Sequence, residues 1–208
     1  MQALPYSEAC ERNKGPILEV LRRWIGSLDG TLLEIGSGTG QHAVHFARHL
    51  PGWKWQPTEQ LAALECLAER VRREGPANLL PPVELDVIAS PWPCVPAGAD
   101  AIFTANTLHI MSWPHVQAFF CGVGAALRPQ GWLVVYGPFR YGGHFTTPSN
   151  EAFDAALRAR DPASGLRDFE AVTQLAAAEG LELIADEAMP ANNQALVWRR
   201  TRVGEDRK

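Results

Sequence analysis

The stretch Leu32–Gln41, L-L-E-I-G-S-G-T-G-Q, carries a short apolar strand (Thr31–Ile35) through three alternate glycines into a helix (His42–Leu50). Gly36, Gly38 and Gly40 permit a tight turn and let the main chain approach a ligand where a Cβ would collide. The spacing separates this loop from two phosphate binders. A dinucleotide fingerprint wants G-x-G-x-x-G, but Gln41 stands three residues after Gly38, and no lysine follows to make a P-loop. Glu34 adds an acid that repels a pyrophosphate and suits a ligand bearing ammonium and sulfonium groups. A bare tight turn is the plainer reading. The position at the first strand–helix junction favours a ligand, because open α/β sheets bind ligands beyond the carboxyl ends of their strands.

Outward from this loop, helical and strand periods alternate. Pro16–Ser27 reads as an amphipathic helix with Pro16 at its first turn and Ile17, Val20, Leu21, Trp24, Ile25 and Leu28 on one face. Strands are expected at Trp53–Gln56, Val83–Asp86, Asp100–Ala105 and Trp132–Tyr136. Helices are expected at Gln60–Arg73, with Leu61, Leu64, Leu67 and Val71 inward, and at Pro114–Leu127, Glu151–Arg158 and Phe169–Glu179. Leu181–Asp186 and Gln194–Arg199 are joined by only seven residues, too few for a parallel crossover, so they form an antiparallel hairpin. The pattern predicts a Rossmann-like, doubly wound α/β fold: a seven-stranded, mostly parallel sheet with an antiparallel last strand. One domain is expected over residues 1–208, with 1–30 as a lid segment and helix and 199–208 as a disordered tail. Proline- and glycine-bearing loops are expected at 79–82, 91–98 and 140–149.

The 208 residues carry a net charge of -4, which disfavours general attraction to nucleic acid or an anionic membrane. The apolar runs are strand-sized, and Met1–Asn13 lacks the apolar stretch of a signal peptide, so a cytoplasmic location is expected. Cys10, Cys66, Cys94 and Cys121 are scattered and read as buried free thiols. His42, His45 and His49 share helical spacing, but no carboxylate or thiol completes a ligand set, so no metal is expected. Trp24, Trp132 and Trp198 fit the core. Trp53, Trp55, Trp92 and Trp113 lie nearer loops without interleaved basic residues, a weak pattern for base stacking.

The run Glu34–Gly40, E-I-G-S-G-T-G, resembles the first motif of class I S-adenosylmethionine-dependent methyltransferases, whose seven-stranded sheet also ends in an antiparallel hairpin. Four further stretches are similar to a family of methyltransferase-like proteins found in bacteria and animals. They are E-R-N-K-G-P-I-L (11–18), W-Q-P-T-E (55–59), T-P-S-N-E-A-F-D (147–154) with L-R-D-F-E (166–170), and M-P-A-N-N (189–193). The resemblance implies S-adenosylmethionine as cofactor and S-adenosylhomocysteine as product. It implies that Gly36, Ser37, Gly38 and Gly40 cradle the cofactor while Glu59 holds both ribose hydroxyls, two carboxylate oxygens matching a vicinal diol. Pro57 departs from the usual pattern, so Gln56 or Thr58 shares that contact, and a helix-capping role for Glu59 is the alternative. Asp86 would accept from the adenine amino group and the Val87 N–H would meet a ring nitrogen, unless Asp86 caps the following turn. Asn106 would lie beneath the reacting end.

Methyl transfer requires alignment of the acceptor and, for some acceptors, removal of a proton. His109 is the candidate base, since imidazole titrates near neutrality; a hydrogen-bonded structural histidine is the alternative. Sheet geometry places Tyr6, Asn13 and Lys14, then Phe139, Arg140, Tyr141 and His144, and finally Asn192 and Asn193 at the acceptor pocket. Arg140 or Lys14 would pair with an anionic acceptor. The expected partner is a small-molecule acceptor. The alternatives are a non-catalytic S-adenosylmethionine-binding scaffold and a methyltransferase with a protein substrate. An NAD-dependent oxidoreductase lacks support in the glycine spacing and in any Tyr-x-x-x-Lys pair.

Overall fold

The structure, a computed structural model, describes residues 3–92 and 98–201. In chain order the elements are α1 (Glu8–Ile25), β1 (Gly30–Ile35), α2 (Gln41–His49), β2 (Trp53–Glu59), α3 (Leu61–Glu74), β3 (Val83–Glu84), β4 (Ala99–Ala105) and α4 (Trp113–Ala126). There follow β5 (Leu127–Gly137), β6 (Phe139–Tyr141), β7 (His144–Phe145), α5 (Pro148–Arg160), β8 (Arg167–Asp168), α6 (Phe169–Ala178), β9 (Leu181–Met189) and β10 (Asn193–Arg200). The main sheet has the order β3-β2-β1-β4-β5-β10-β9, with β10 antiparallel to both neighbours, as the sequence predicts.

Alternation along the central strands divides the core into two layers. Leu32, Phe103 and Val134 face α1 and α2, packing with Leu21, Phe46 and Trp55. Leu33, Ile102 and Val135 face α4 and α6, packing with Phe119, Val123 and Trp198. Trp53 and Trp55 are core residues of β2, and Trp92 is buried from the loop between β3 and β4. Strand β2 runs through Pro57, which sits opposite Glu34 in the parallel register, and extends to Glu59.

Several expectations need correction. Helix α1 starts at Glu8, so Tyr6–Lys14 is mostly helix and Pro16 lies inside it. Its start is set by Ser7, whose hydroxyl accepts from the Cys10 N–H, and by Glu8 and Glu11 in the first turn. Gln41 anchors that start from α2: its Oε1 accepts from the Ser7 N–H at 2.6 Å and its Nε2 donates to Ser7 O. Leu61 and Leu28 are exposed, Leu28 because α1 has already ended. Strand β3 is two residues long, stopping before Asp86. The loop expected at 140–149 contains a small second sheet of order β7-β6-β8, and the turn between β9 and β10 is a three-residue 3-10 helix, Pro190–Asn192. Strand β10 continues to Arg200, into the stretch expected as a tail, because Arg200 Nη1 donates to Leu127 O. Cys10 is half-buried and Cys66 and Cys121 are exposed, all three free, against the expectation of buried thiols; Cys94 lies outside the described residues. Among the described residues no helix is long and apolar enough to cross a membrane.

At the exit of β1, Gly36 has φ +70, and a Cβ there would lie 2.4 Å from Thr107 Cγ2. Gly36→Ala combines this collision with a left-handed backbone. It is expected to destabilise the fold by about 2 kcal/mol, read from denaturant unfolding. Adding Thr107→Ser, which deletes the colliding methyl, should recover part of that loss. Unfolding midpoints equal for wild type and Gly36→Ala would refute the constraint.

Candidate functional site

Strands β1 and β4 are neighbours, but α2 and α4 leave them toward opposite faces of the sheet. The crevice between opens into a cavity of about 1110 Å³. Its floor is the glycine loop with Asn106 and Tyr136; its walls come from the first turns of α1, the 107–112 segment, α5 and the β9–β10 turn.

The glycine loop is held from behind. Ser37 N–H donates to Thr58 O at 2.9 Å, and Arg70, buried on α3, donates to Thr39 O and to Pro5 O. Gly38 has φ +54, and a Cβ there would meet nothing within 4 Å, so its main chain faces open cavity. Glu59 lies across the loop: Oε2 accepts from the Gly38 N–H at 2.7 Å and Oε1 from the Gln60 N–H at 2.9 Å. Gln60 occupies the N-cap position of α3 without a side-chain cap bond, and Glu59 stands one residue before it. Each Glu59 oxygen keeps a lone pair for a further donor. The Ser37 hydroxyl is buried beside the loop, where it and Trp55 oppose the effect of burial on the Glu34 carboxyl. Leu85 and Val87 line the same end.

At the opposite end, His109 is buried with its ring edge-on to Phe153, centroids 5.3 Å apart. Asn13 Oδ1 accepts from His42 Nε2 at 2.7 Å, which fixes α1 against α2 at the cavity wall. Asn150 Nδ2 donates to Asn192 O at 3.0 Å, and Asn192 Nδ2 returns a bond to Ser149 Oγ at 3.1 Å, joining α5 to the late turn. Ser112 Oγ and His115 Nδ1 are 2.6 Å apart. Among the described residues no group of three or more histidine, cysteine or acidic side chains is placed to hold a metal ion.

The structure brings Gly36, Ser37, Gly38, Glu59, Val87, Asn106, His109, Asn13, Asn192 and Asn193 to one cavity. It does not bring the rest. Glu34 points from β1 into the α1/α2 core layer, where its carboxylate accepts from Trp55 Nε1 at 2.7 Å, and it does not line the cavity. Gly40 sits behind the loop as the N-cap of α2. Asp86 caps the turn after β3 by accepting from the Ile88 N–H at 3.2 Å, and its neighbours Leu85 and Val87 line the cavity instead. Arg140 pairs with Asp168 at 2.7 Å in the small sheet, and Lys14 pairs with Glu11, so neither cation faces an acceptor. Tyr141 donates to Asp186 and stacks on Phe169, Phe139 is core, and Tyr6 and His144 are exposed outside the cavity. Reasoning from sequence missed Tyr136, Thr107, Asn150 and Phe153. The T-P-S-N-E-A-F-D stretch was a signal for the last two.

Residues 4–200 match the family described as "Protein of unknown function (DUF938)", and the chain belongs to that family. Solved structures share its fold at low identity. An O-methyltransferase family protein from Burkholderia thailandensis aligns with TM-score 0.79 and 13% identity over 95% of this chain and 59% of that one. Human N-acetylserotonin methyltransferase in complex with S-adenosylmethionine gives 0.76 and 16%, over 94% and 53%. An O-methyltransferase family 2 protein from Planctomyces limnophilus in complex with apigenin gives 0.72 and 17%, over 83% and 51%. The chain spans little more than half the length of these proteins. What they share with it is the Rossmann-like α/β fold.

Burial dominates the site's electrostatics. It raises the Glu34 carboxyl to about 7 against the opposing Trp55 hydrogen bond. It lowers His42 to about 4, with His45 adding to the effect, and lowers His109 to about 4, assisted by the Arg167 charge. For Glu34 the folded value lies above the ordinary 4.5, so its stabilising contribution is complete below pH 4.5 and is lost as pH rises to 7. For the two histidines the sign is reversed: stability present above 6.5 is lost as pH falls through 4. Glu34→Gln isolates the first effect. Its stability relative to wild type should rise by roughly 3 kcal/mol between pH 4.5 and 7 and stay level above, read by denaturation at each pH. Parallel pH profiles for the two proteins would refute it.

Proposed function

We propose that this member of the family is an S-adenosylmethionine-dependent methyltransferase acting on a small, uncharged acceptor. The observation that carries the reading is the glycine loop turned toward the cavity at Gly38, with the Glu59 carboxylate across it, where β1 and β4 part. The residues present fit the cofactor: an open glycine that a side chain would fill, and an acid across the loop with spare acceptor capacity for a diol. Gly36–Gly38, Glu59, Val87 and Asn106 would hold it, with Leu85 packing beside them. The bound cofactor supplies a methyl group already activated on a sulfonium.

The remaining work falls to the acceptor end. His109 is neutral at neutral pH, since burial and Arg167 hold its imidazole near 4. A neutral imidazole accepts a hydrogen bond from an acceptor's O–H or N–H, and it is a weaker proton acceptor than a free one. Its part is therefore to orient the acceptor more than to deprotonate it. The charged groups on this wall are engaged already, Arg12 with Glu8 and Asp161 with the Ala163 N–H, which favours an uncharged acceptor over the anionic one expected from Arg140 or Lys14. The narrower likeness to methyltransferase-like proteins of bacteria and animals belongs to this proposal. So do a single domain over the chain and a cytoplasmic setting without nucleic-acid or membrane partners, which the net charge of -4 favours.

Calorimetric titration tests the reading. S-adenosylmethionine should bind with a Kd on the order of micromolar and NAD should not. Gly38→Arg, which fills the open space while its melting is checked in parallel, should abolish binding. Glu59→Ala should weaken it about tenfold, the scale of a lost charge-assisted hydrogen bond. A folded wild-type chain that fails to bind S-adenosylmethionine would overturn the proposal.

A further inference from the structure

The segment that carries His109 is held along its whole length from one place. Four consecutive carbonyls, Leu108 to Met111, each receive a donor from the 164–167 stretch. Arg167 Nε donates to Leu108 O at 3.0 Å, the Gly165 N–H to His109 O at 2.8 Å and Ser164 Oγ to Ile110 O at 3.2 Å. Arg167 Nη2 reaches Met111 O and also donates to Ala163 O at 3.0 Å. Arg167 is thus a buried cation whose hydrogen bonds go to main-chain carbonyls, and among the described residues it makes no ion pair. A charge placed so is expensive unless its donors are well satisfied. Its planar fork reaches two carbonyls three residues apart, which a lysine cannot do.

The clamp is itself anchored to the opposite wall of the cavity. Asp154 Oδ1, on α5 one residue after Phe153, accepts from the Leu166 N–H at 2.7 Å. The ring of Phe153 meets the His109 imidazole, so its face and its backbone are both set by this unit. Within the β4–α4 connection itself, Asn106 is left-handed and the local main-chain bonds are those that Thr107 O accepts from the Ile110 and Met111 N–H groups, so the hold on the 108–111 carbonyls comes from outside the segment.

We propose that Arg167, with Ser164 and Gly165, is a positioning element that fixes the His109 imidazole at the acceptor end of the cavity. This rests on the reading of that cavity as a methyl-transfer site, and the test separates the two. Imidazole NMR spectra of the full chain at neutral pH resolve six histidines, with His109 assigned by its loss in His109→Gln. Arg167→Gln should displace and broaden the His109 signals while those of His45 and His49, on the far helix, stay in place. Arg167→Lys, which keeps a donor without the fork, should restore part of the wild-type position. Ser164→Ala removes one donor and should give a smaller displacement in the same direction; it carries the test should Arg167→Gln fail to fold. S-adenosylmethionine affinity should change by less than about twofold in Ser164→Ala and Arg167→Lys, since neither residue meets the glycine loop. Unmoved His109 signals in folded variants would overturn the positioning role. Absence of cofactor binding in wild type, with the His109 shifts present, would overturn the proposed function and leave the clamp standing.

Discussion

Everything at the site depends on how β1 is stopped. Its last two residues still stand in the parallel register, Glu34 opposite Pro57 and Ile35 opposite Thr104, and the carbonyl of each accepts from a threonine hydroxyl on a neighbouring strand. Thr58 Oγ1 on β2 donates to Glu34 O at 2.7 Å, and Thr104 Oγ1 on β4 donates to Ile35 O at 2.8 Å. A buried carbonyl left without a donor is penalised by about 1–3 kcal/mol, so the two hydroxyls decide where the strand can end. With that end fixed from both sides, Gly36 is pressed against Thr107 and Gly38 is presented to the cavity. Thr107 in turn pairs its hydroxyl with Thr104, so the loop after β1 and the loop after β4 share one anchor.

Two buried arginines extend this logic outward. Arg70 grips the glycine loop at Thr39 O and the chain before α1 at Pro5 O, while Glu74 balances its charge. Arg167 grips the 108–111 carbonyls on the other side of the crevice. The glycine loop and the 108–111 segment are therefore each stiffened from the outer side by a guanidinium. Glu34 completes the pattern in reverse. Its carboxyl is the motif's only acid, yet it lies in the core against Trp55, where burial raises it to about 7 and it ties β1 to β2 away from the cavity.

Period and punctuation in the sequence were enough for the sheet, because strands buried on both faces read as apolar runs and glycine marks where they stop. They place Gly38 and Glu59 at strand ends, the resemblance singles out Glu59 there, and the structure brings both to the cavity. The failures have two physical causes. Some are local: Pro16 has the look of a first-turn residue, but Ser7 caps an earlier start that Glu8 and Glu11 support. Lys14 pairs with Glu11 three residues away, and Asp86 turns to its own backbone because β3 ends two residues early. Others come from far along the chain: Gln41 anchors the start of α1, Arg140 meets Asp168, and Arg70 and Arg167 reach distant carbonyls. Partnering across that separation leaves no local periodicity to read.

The two ends of the cavity are tied by different partners. The glycine-loop end is built from β1, β2 and the segment after β3 and is bound within itself, Gly36 packing against Thr107, the Ser37 N–H donating to Thr58 O and the Gly38 N–H to Glu59. The acceptor end is assembled from α1, the 107–112 segment, α5 and the β9–β10 turn, and these are cross-tied. Asn150 reaches Asn192, Asp154 holds the Leu166 N–H, and Gly165 and Arg167 hold the segment around His109. A substitution at any of these points shifts the others, and neighbours in one hydrogen-bonded network couple by about 0.5–3 kcal/mol. Such a wall changes its shape as a unit. Altering which acceptor it fits therefore requires coordinated replacement across α5 and the late turn, while the glycine loop and its threonine anchors can remain as they are.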